Sequence, residues 1–197
     1  IRLSLVGSEM CIRDSGYTSQ GLRRSQSESR FDRPMARTVS GAYLISPHFT
    51  VEVSVNVAAG DIAFIGVGQA VSDPNYFNEP SNCFLFRIHN LADAGVDIAA
   101  AQLGRESHFL DIRKVAAYIP GTMNRFRIVR DGDYLTMSIP SQNVSRTYSI
   151  SQYNPQLGLT NDNTFLFFGN IDTGTLFSDF RVTRTAPDSE STPPNRH

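Results

Sequence analysis

The 197-residue chain carries 18 lysines and arginines against 19 aspartates and glutamates, a formal net charge of −1. A near-neutral chain gives no electrostatic case for a nucleic acid partner or an anionic membrane surface, and no apolar run approaches the roughly 20 residues that span a bilayer as a helix. Lys114 is the only lysine and the arginines are scattered, so the skew reads as gene composition rather than as a phosphate-recognition surface.

Residues 1–15 (IRLSLVGSEMCIRDS) resemble a translated sequencing adapter, most closely over 5–14. An adapter-derived segment was never selected to pack on this domain. It is therefore expected to hang loose, with Leu3, Leu5 and Ile12 outside the core. The chain then enters its gene near Gly16, and any targeting signal is out of view. With Cys11 set aside, Cys83 is the sole cysteine and no intrachain disulfide forms. Residues 16–37, rich in Ser, Arg and Gln, read as a polar lead-in or linker, and 185–197 (TAPDSESTPPNRH) as a disordered tail or linker. The domain is placed at 38–184, the right size for one core.

Within it the apolar period is two. Residues 49–57 (FTVEVSVNV) put Phe49, Val51, Val53, Val55 and Val57 on one face, with Thr50, Glu52, Ser54 and Asn56 on the other. Residues 62–68 (IAFIGVG) form a second strand, expected to pair with the first through the turn at 58–61. Residues 83–89 (CFLFRIH) set Phe84, Phe86 and Ile88 against Cys83, Leu85, Arg87 and His89. The segment 92–115 admits a helix through its alanines at 99–101, but two strands fit its Val, Ile and Phe positions better. Residues 124–130 and 133–140 form a hairpin, its tight turn read at Asp131-Gly132 as type I′. Residues 164–169 and 176–184 supply the last strands. Short antiparallel strands and no βαβ unit predict an all-β sandwich.

The ordered set FTVEVSVNV, FLFRIHN, NRFRIVRDGDYLTMSI and FLFFGNIDTGTLFSDFRV resembles the concanavalin A-like lectin/glucanase superfamily in its laminin-G-like branches, over roughly 39–184. The resemblance implies an antiparallel two-sheet jelly-roll sandwich whose concave sheet carries a glycan groove in many members. The superfamily's glucanases place paired carboxylates in the pattern E-x-D-x-x-E. One donates a proton to the leaving oxygen and the other attacks or activates water. This sequence lacks that pattern, and Glu52 is the only carboxylate in its strand.

Two groups of residues are candidates for ligand binding. Glu52, Arg87 and His89 form a charged patch if their strands are neighbours; a cross-strand ion pair on a solvated face is the simpler outcome. The loop at 72–82 (SDPNYFNEPSN) offers Asp73, Asn75, Asn78 and Glu79 as hydroxyl partners and Tyr76 as a stacking face for a sugar ring. Calcium held by Asp73 and Glu79 is the one cofactor the loop suggests. The leading expectation is a non-catalytic carbohydrate-binding or adhesion module of a larger exported protein, at the cell surface or outside the cell. Its partner is a glycan or polysaccharide, without nucleic acid and without membrane insertion. The alternatives are a glycoside hydrolase or polysaccharide lyase of the same fold with Glu52 as catalytic acid, and a structural spacer.

Overall fold

The computed structural model describes residues 10–12, 15–18, 20–24, 36–38, 47–104 and 107–184. Among the described residues, fourteen strands build two antiparallel sheets of seven. In chain order they are β1 (Met10–Ile12), β2 (Ser15–Thr18), β3 (Gly21–Arg24), β4 (Ala36–Thr38), β5 (His48–Asn56), β6 (Ile62–Ser72) and β7 (Pro80–His89). They continue as β8 (Gly95–Ala101), β9 (Phe109–Ala116), β10 (Asn124–Asp131), β11 (Tyr134–Ile139), β12 (Val144–Ser149), β13 (Phe165–Asn170) and β14 (Leu176–Arg184). Sheet I runs β12-β11-β10-β5-β14-β3-β2, and sheet II runs β1-β4-β13-β6-β7-β8-β9. This is the expected all-β, two-sheet jelly-roll sandwich.

The main core lies between the sheets. Phe49, Val51, Val53 and Val55 of β5 meet Phe84, Phe86 and Ile88 of β7 in one buried cluster, with Phe126, Ile128, Leu135, Met137 and Phe168. At ~25 cal/mol per Å² of apolar surface, burial of this strict alternation is what selects the strands. The segment 92–115 resolves as strands: Val96, Ile98 and Ala100 enter the core.

Four features differ from the sequence reading. First, β5 does not pair with β6. It pairs with β10 and β14 in sheet I, while β6 pairs with β13 and β7 in sheet II. The turn at 58–61 crosses between sheets, because alternation fixes which face is buried but not which strand is adjacent. Second, the tight turn falls one residue later. Asp131 pairs with Tyr134, so the central residues are Gly132-Asp133, and it is Gly132 that takes positive φ (58°). Third, the sheets extend into 10–38. Met10–Ile12 pairs with Ala36–Thr38, and Ser15–Thr18 pairs with Gly21–Arg24, where only a loose end and a polar lead-in were expected. Leu22, Ala36 and Thr38 are buried. Leu3, Leu5, the Ile12 side chain and the tail at 185–197 lie outside what is described. Fourth, a helix, α1 (Ile150–Leu157), follows β12, capped by the Ser149 hydroxyl and ended by Gly158 at φ 61°.

Sheet II carries a second, smaller core on its outer face: Phe64, Ala70, Cys83, Leu85, Ala101 and Phe167, with Phe109 against them. Its cover comes partly from the far end of the β6–β7 hairpin. Glu79 and Arg87 are eight residues apart, about 26 Å in a straight strand, yet their side chains touch at 3.0 Å. The end of the hairpin therefore turns back over the outer face. Positive φ at Gly68 (152°), Ala70 (53°) and Asn82 (52°) and the register shift between Gly68 and Val71 mark the bend.

Candidate functional site

The bend brings a polar cluster together on the outer face of sheet II. One cross-strand row reads Phe64, Arg87, Asp97, Lys114 on β6, β7, β8 and β9. Arg87 Nε donates to both oxygens of Glu79 at 3.0 Å, and its terminal nitrogen reaches Asp97 Oδ2 at 3.4 Å. His89, one row along, approaches the same Asp97 oxygen at 3.5 Å through Nε2. Opposite His89 lies Gly95, where a Cβ would sit 2.5 Å from Lys114 Cε and 3.2 Å from His89 Nε2. The missing side chain there gives room to both.

A second pair closes the row from above. His108 Nδ1 lies 3.1 Å from Asp73 Oδ2, and the Tyr76 ring stacks on His108 with centroids 4.4 Å apart and planes 6° from parallel. Phe109 meets both rings edge-on. Phe77, at the tip of the turned-back end, is 72% exposed.

Burial shapes the charges. Burial and the neighbouring Asp97 push the Glu79 carboxyl up, and Arg87 only partly offsets them. Burial alone would lower the Arg87 guanidinium, but Glu79 and Asp97 outweigh it and hold the proton more firmly than usual. Burial pulls both His89 and His108 down, against the opposing pull of Asp97 and Asp73. Burial also raises the Tyr76 phenol, with Glu79 adding to it. Two buried imidazole nitrogens, His89 Nδ1 and His108 Nε2, have no hydrogen-bond partner among the described residues. The nearest carboxylate to His89 Nδ1 is Asp93, at 3.7 Å.

The expected residues divide between the two sheets. Arg87, His89, Asp73, Tyr76 and Glu79 gather on sheet II. Asn75 is exposed and Asn78 half-buried in the loop; the Asn75 amide donates to Asp73 Oδ1 at 2.9 Å. Glu52 is not with them. It lies on the outer face of sheet I, paired with Arg125 at 2.7 Å and with Arg127 at 4.0 Å. A patch joining Glu52 to Arg87 and His89 does not exist, because β5 and β7 belong to different sheets.

The two carboxylates suggested for calcium are engaged within the protein. Asp73 accepts from the Asn75 and Gly104 amides and faces His108, while both Glu79 oxygens are taken by Arg87. Calcium takes six to eight oxygen ligands, carbonyls and waters included. Among the described residues, no group of three or more His, Cys, Asp or Glu is placed to hold a metal ion.

The sequence reading missed Asp97, His108 and Lys114, all in the segment it found ambiguous. A signal was present: an aspartate inside the otherwise apolar run at 95–101 (GVDIAAA) is a charge on a buried strand, which is rare without a partner.

No family model matches the chain, and no curated protein matches it in sequence. The exoplasmic/lumenal domain of VIP36 in its Ca2+/Man-bound form is similar in structure at a TM-score of 0.53, with 11% identity, covering 93% of this chain and 85% of that one. Carbohydrate-binding module CBM66 from Bacillus subtilis is similar at 0.52, with 14% identity, covering 89% of this chain and 94% of that one. These likenesses establish the fold: a jelly-roll sandwich of the concanavalin A-like type. Among the described residues, no helix is long and apolar enough to cross a membrane.

Proposed function

We propose that the chain is a carbohydrate-binding module, serving as one part of a larger exported protein, and that its glycan site is the polar cluster on the outer face of sheet II. One observation carries this reading. Inside a cluster of eight charged or titratable side chains, two imidazole nitrogens are buried without a partner among the described residues. Each such atom costs about 1–3 kcal/mol, and native folds satisfy almost all of them. Sugar hydroxyls both donate and accept, so they suit a neutral imidazole whatever its tautomer. Tyr76 and the exposed Phe77 add apolar faces for the C–H side of a ring. The fold supports the reading, since VIP36 and CBM66 carry a glycan and a carbohydrate-binding label in their own names.

A glycan array probed with the full chain tests it. Binding to at least one polysaccharide is expected, weakened about tenfold or more by His89→Ala as one hydrogen-bonding partner is lost. Absence of binding to any glycan, or a His89→Ala chain that is folded and binds unchanged, rejects the reading.

A second reading, glycoside hydrolysis with Glu52 as catalytic acid, draws on a single observation. Asp179 lines the same cleft on sheet I as Glu52, a second carboxylate on the same face. Glu52→Gln should then abolish turnover of any glycan the chain degrades; unchanged turnover ends that idea.

A further inference from the structure

The outer face of sheet I holds a separate cleft of about 240 Å³, lined by Glu52, Ser54, Arg125, Asp179, Phe180 and Arg181. Its shape comes from one irregularity. Along β14 the register to β5 slips between Ser178 and Arg181, so Asp179 and Phe180 together oppose Val53. Phe180 turns into the core, and Asp179 takes a left-handed φ of 54°. Such a bulge bends the strand and re-aims the next side chain. That side chain is Arg181, set directly across from Glu52, which faces Arg127 on its other side.

Cations outnumber anions around Glu52. Three guanidinium groups, from Arg125, Arg127 and Arg181, surround Glu52. Arg125 is 56% exposed while pairing with Glu52, so part of its donor fork faces solvent. Arg181 is exposed and makes no ion pair with any described residue. Asp179 engages the Ser178 hydroxyl. The cleft lining itself is balanced, Arg125 and Arg181 against Glu52 and Asp179, and Arg127 beside it, 4.0 Å from Glu52, adds a third cation in a chain whose overall charge is −1. The hydroxyls of Ser54 and Ser178 stand beside it.

We propose that this cleft binds the carboxylate or sulfate group of an acidic polysaccharide, with Arg181 and Arg125 as its donors and Glu52 as the positioning residue that holds Arg125. Guanidinium groups suit planar or tetrahedral oxyanions because two parallel N–H donors meet two oxygens. Glu52 keeps Arg125 in one rotamer, which lowers the entropy lost when the anion docks. The site stands on its own: it lies on the opposite sheet from the cluster at Arg87 and shares no residue with it.

Affinity electrophoresis of the full chain through gels carrying dextran sulfate, polygalacturonate or plain dextran tests the proposal. Retardation is expected in the two acidic gels and not in plain dextran, and salt should abolish it. Arg181→Ala should weaken retention about tenfold, the loss of one charge-assisted bidentate contact. Arg113→Ala, a cation removed from the other sheet, should leave it unchanged. Titration with inorganic sulfate alone separates the polymer from a free anion: half-saturation by sulfate as tight as by dextran sulfate makes the site one for a small anion and overturns the polysaccharide assignment. Equal loss from Arg181→Ala and Arg113→Ala would show diffuse attraction and overturn the site altogether. So would equal retention in plain dextran, or an Arg181→Ala chain that is retained like the original.

Discussion

Asp61 shows how much one side chain can organise. It is buried at the crossing between sheets, and its carboxylate accepts five hydrogen bonds. The amides of Ile62, Ile171 and Asp172 donate to Oδ1 at 2.8, 3.1 and 3.0 Å; Asn170 Nδ2 donates to Oδ2 at 2.8 Å, joined there by the Thr175 hydroxyl. The loop after β13 is therefore tied to the start of β6 through a single residue. Asp61→Asn replaces one acceptor oxygen with a donor facing donors, and should destabilise the chain by about 2–4 kcal/mol in urea unfolding. A loss below about 0.5 kcal/mol would mean the loop re-forms without it. Nothing in the sequence singled out Asp61, since an aspartate after Gly60 reads as an ordinary turn residue. Arg87, His89, Asp73, Tyr76 and Glu79 were legible as residue types in promising places. That Glu79 meets Arg87 was not, because local pattern does not reveal that a strand turns back on itself.

At the scale of elements, the end of the β6–β7 hairpin is the feature that makes the site. Its bend depends on Gly68. A Cβ there would sit 2.4 Å from Asn82 O and from Cys83 Cα and Cβ, at a φ of 152° that side chains avoid. Gly68→Ala should therefore cost about 3 kcal/mol. It should also shift the turned-back end, detaching Tyr76 from His108 and raising Tyr76 accessibility, which iodination or NMR of that ring reports. Unchanged stability and an unchanged Tyr76 signal would place the hinge elsewhere. The strands themselves were plain in the sequence. Alternation along β5 and β7 gave the core-facing side correctly, whereas the bulge at Asp179 and Phe180 breaks it along β14. Partnership was less plain. A tight turn such as 58–61 joins either a hairpin or two strands of facing sheets, and the difference is decided by which distant strands compete for the same edges.

At the scale of the molecule, the sandwich holds two histidines whose folded values are pulled below the ordinary 6.5 by burial. The unfolded chain takes up protons at these positions as pH falls through about 6.5, and the folded chain resists. Each histidine therefore contributes stability that is fully present above that pH and is lost as acidification proceeds toward the lowered folded value. Thermal unfolding should show a melting temperature that drops between pH 7.5 and 5.5, and His108→Gln should flatten part of the drop; these set points follow from the usual histidine range, roughly 6 to 7. A variant with the same slope as the original would assign the loss to other groups.

The pairing of β1 with β4 and of β2 with β3 carries a consequence for solubility. Consecutive short strands near the start of the chain take up one end position in each sheet: β1 in sheet II and β2 in sheet I. Without residues 1–18, Ala36–Thr38 and Gly21–Arg24 would present their free N–H and C=O rows to solvent. Exposed rows of that kind recruit a second chain by main-chain pairing. A chain lacking 1–18 should therefore self-associate in sedimentation at concentrations where the longer chain does not. On that view each sheet ends on a strand of only three or four residues, a short edge that offers a second chain little to pair with.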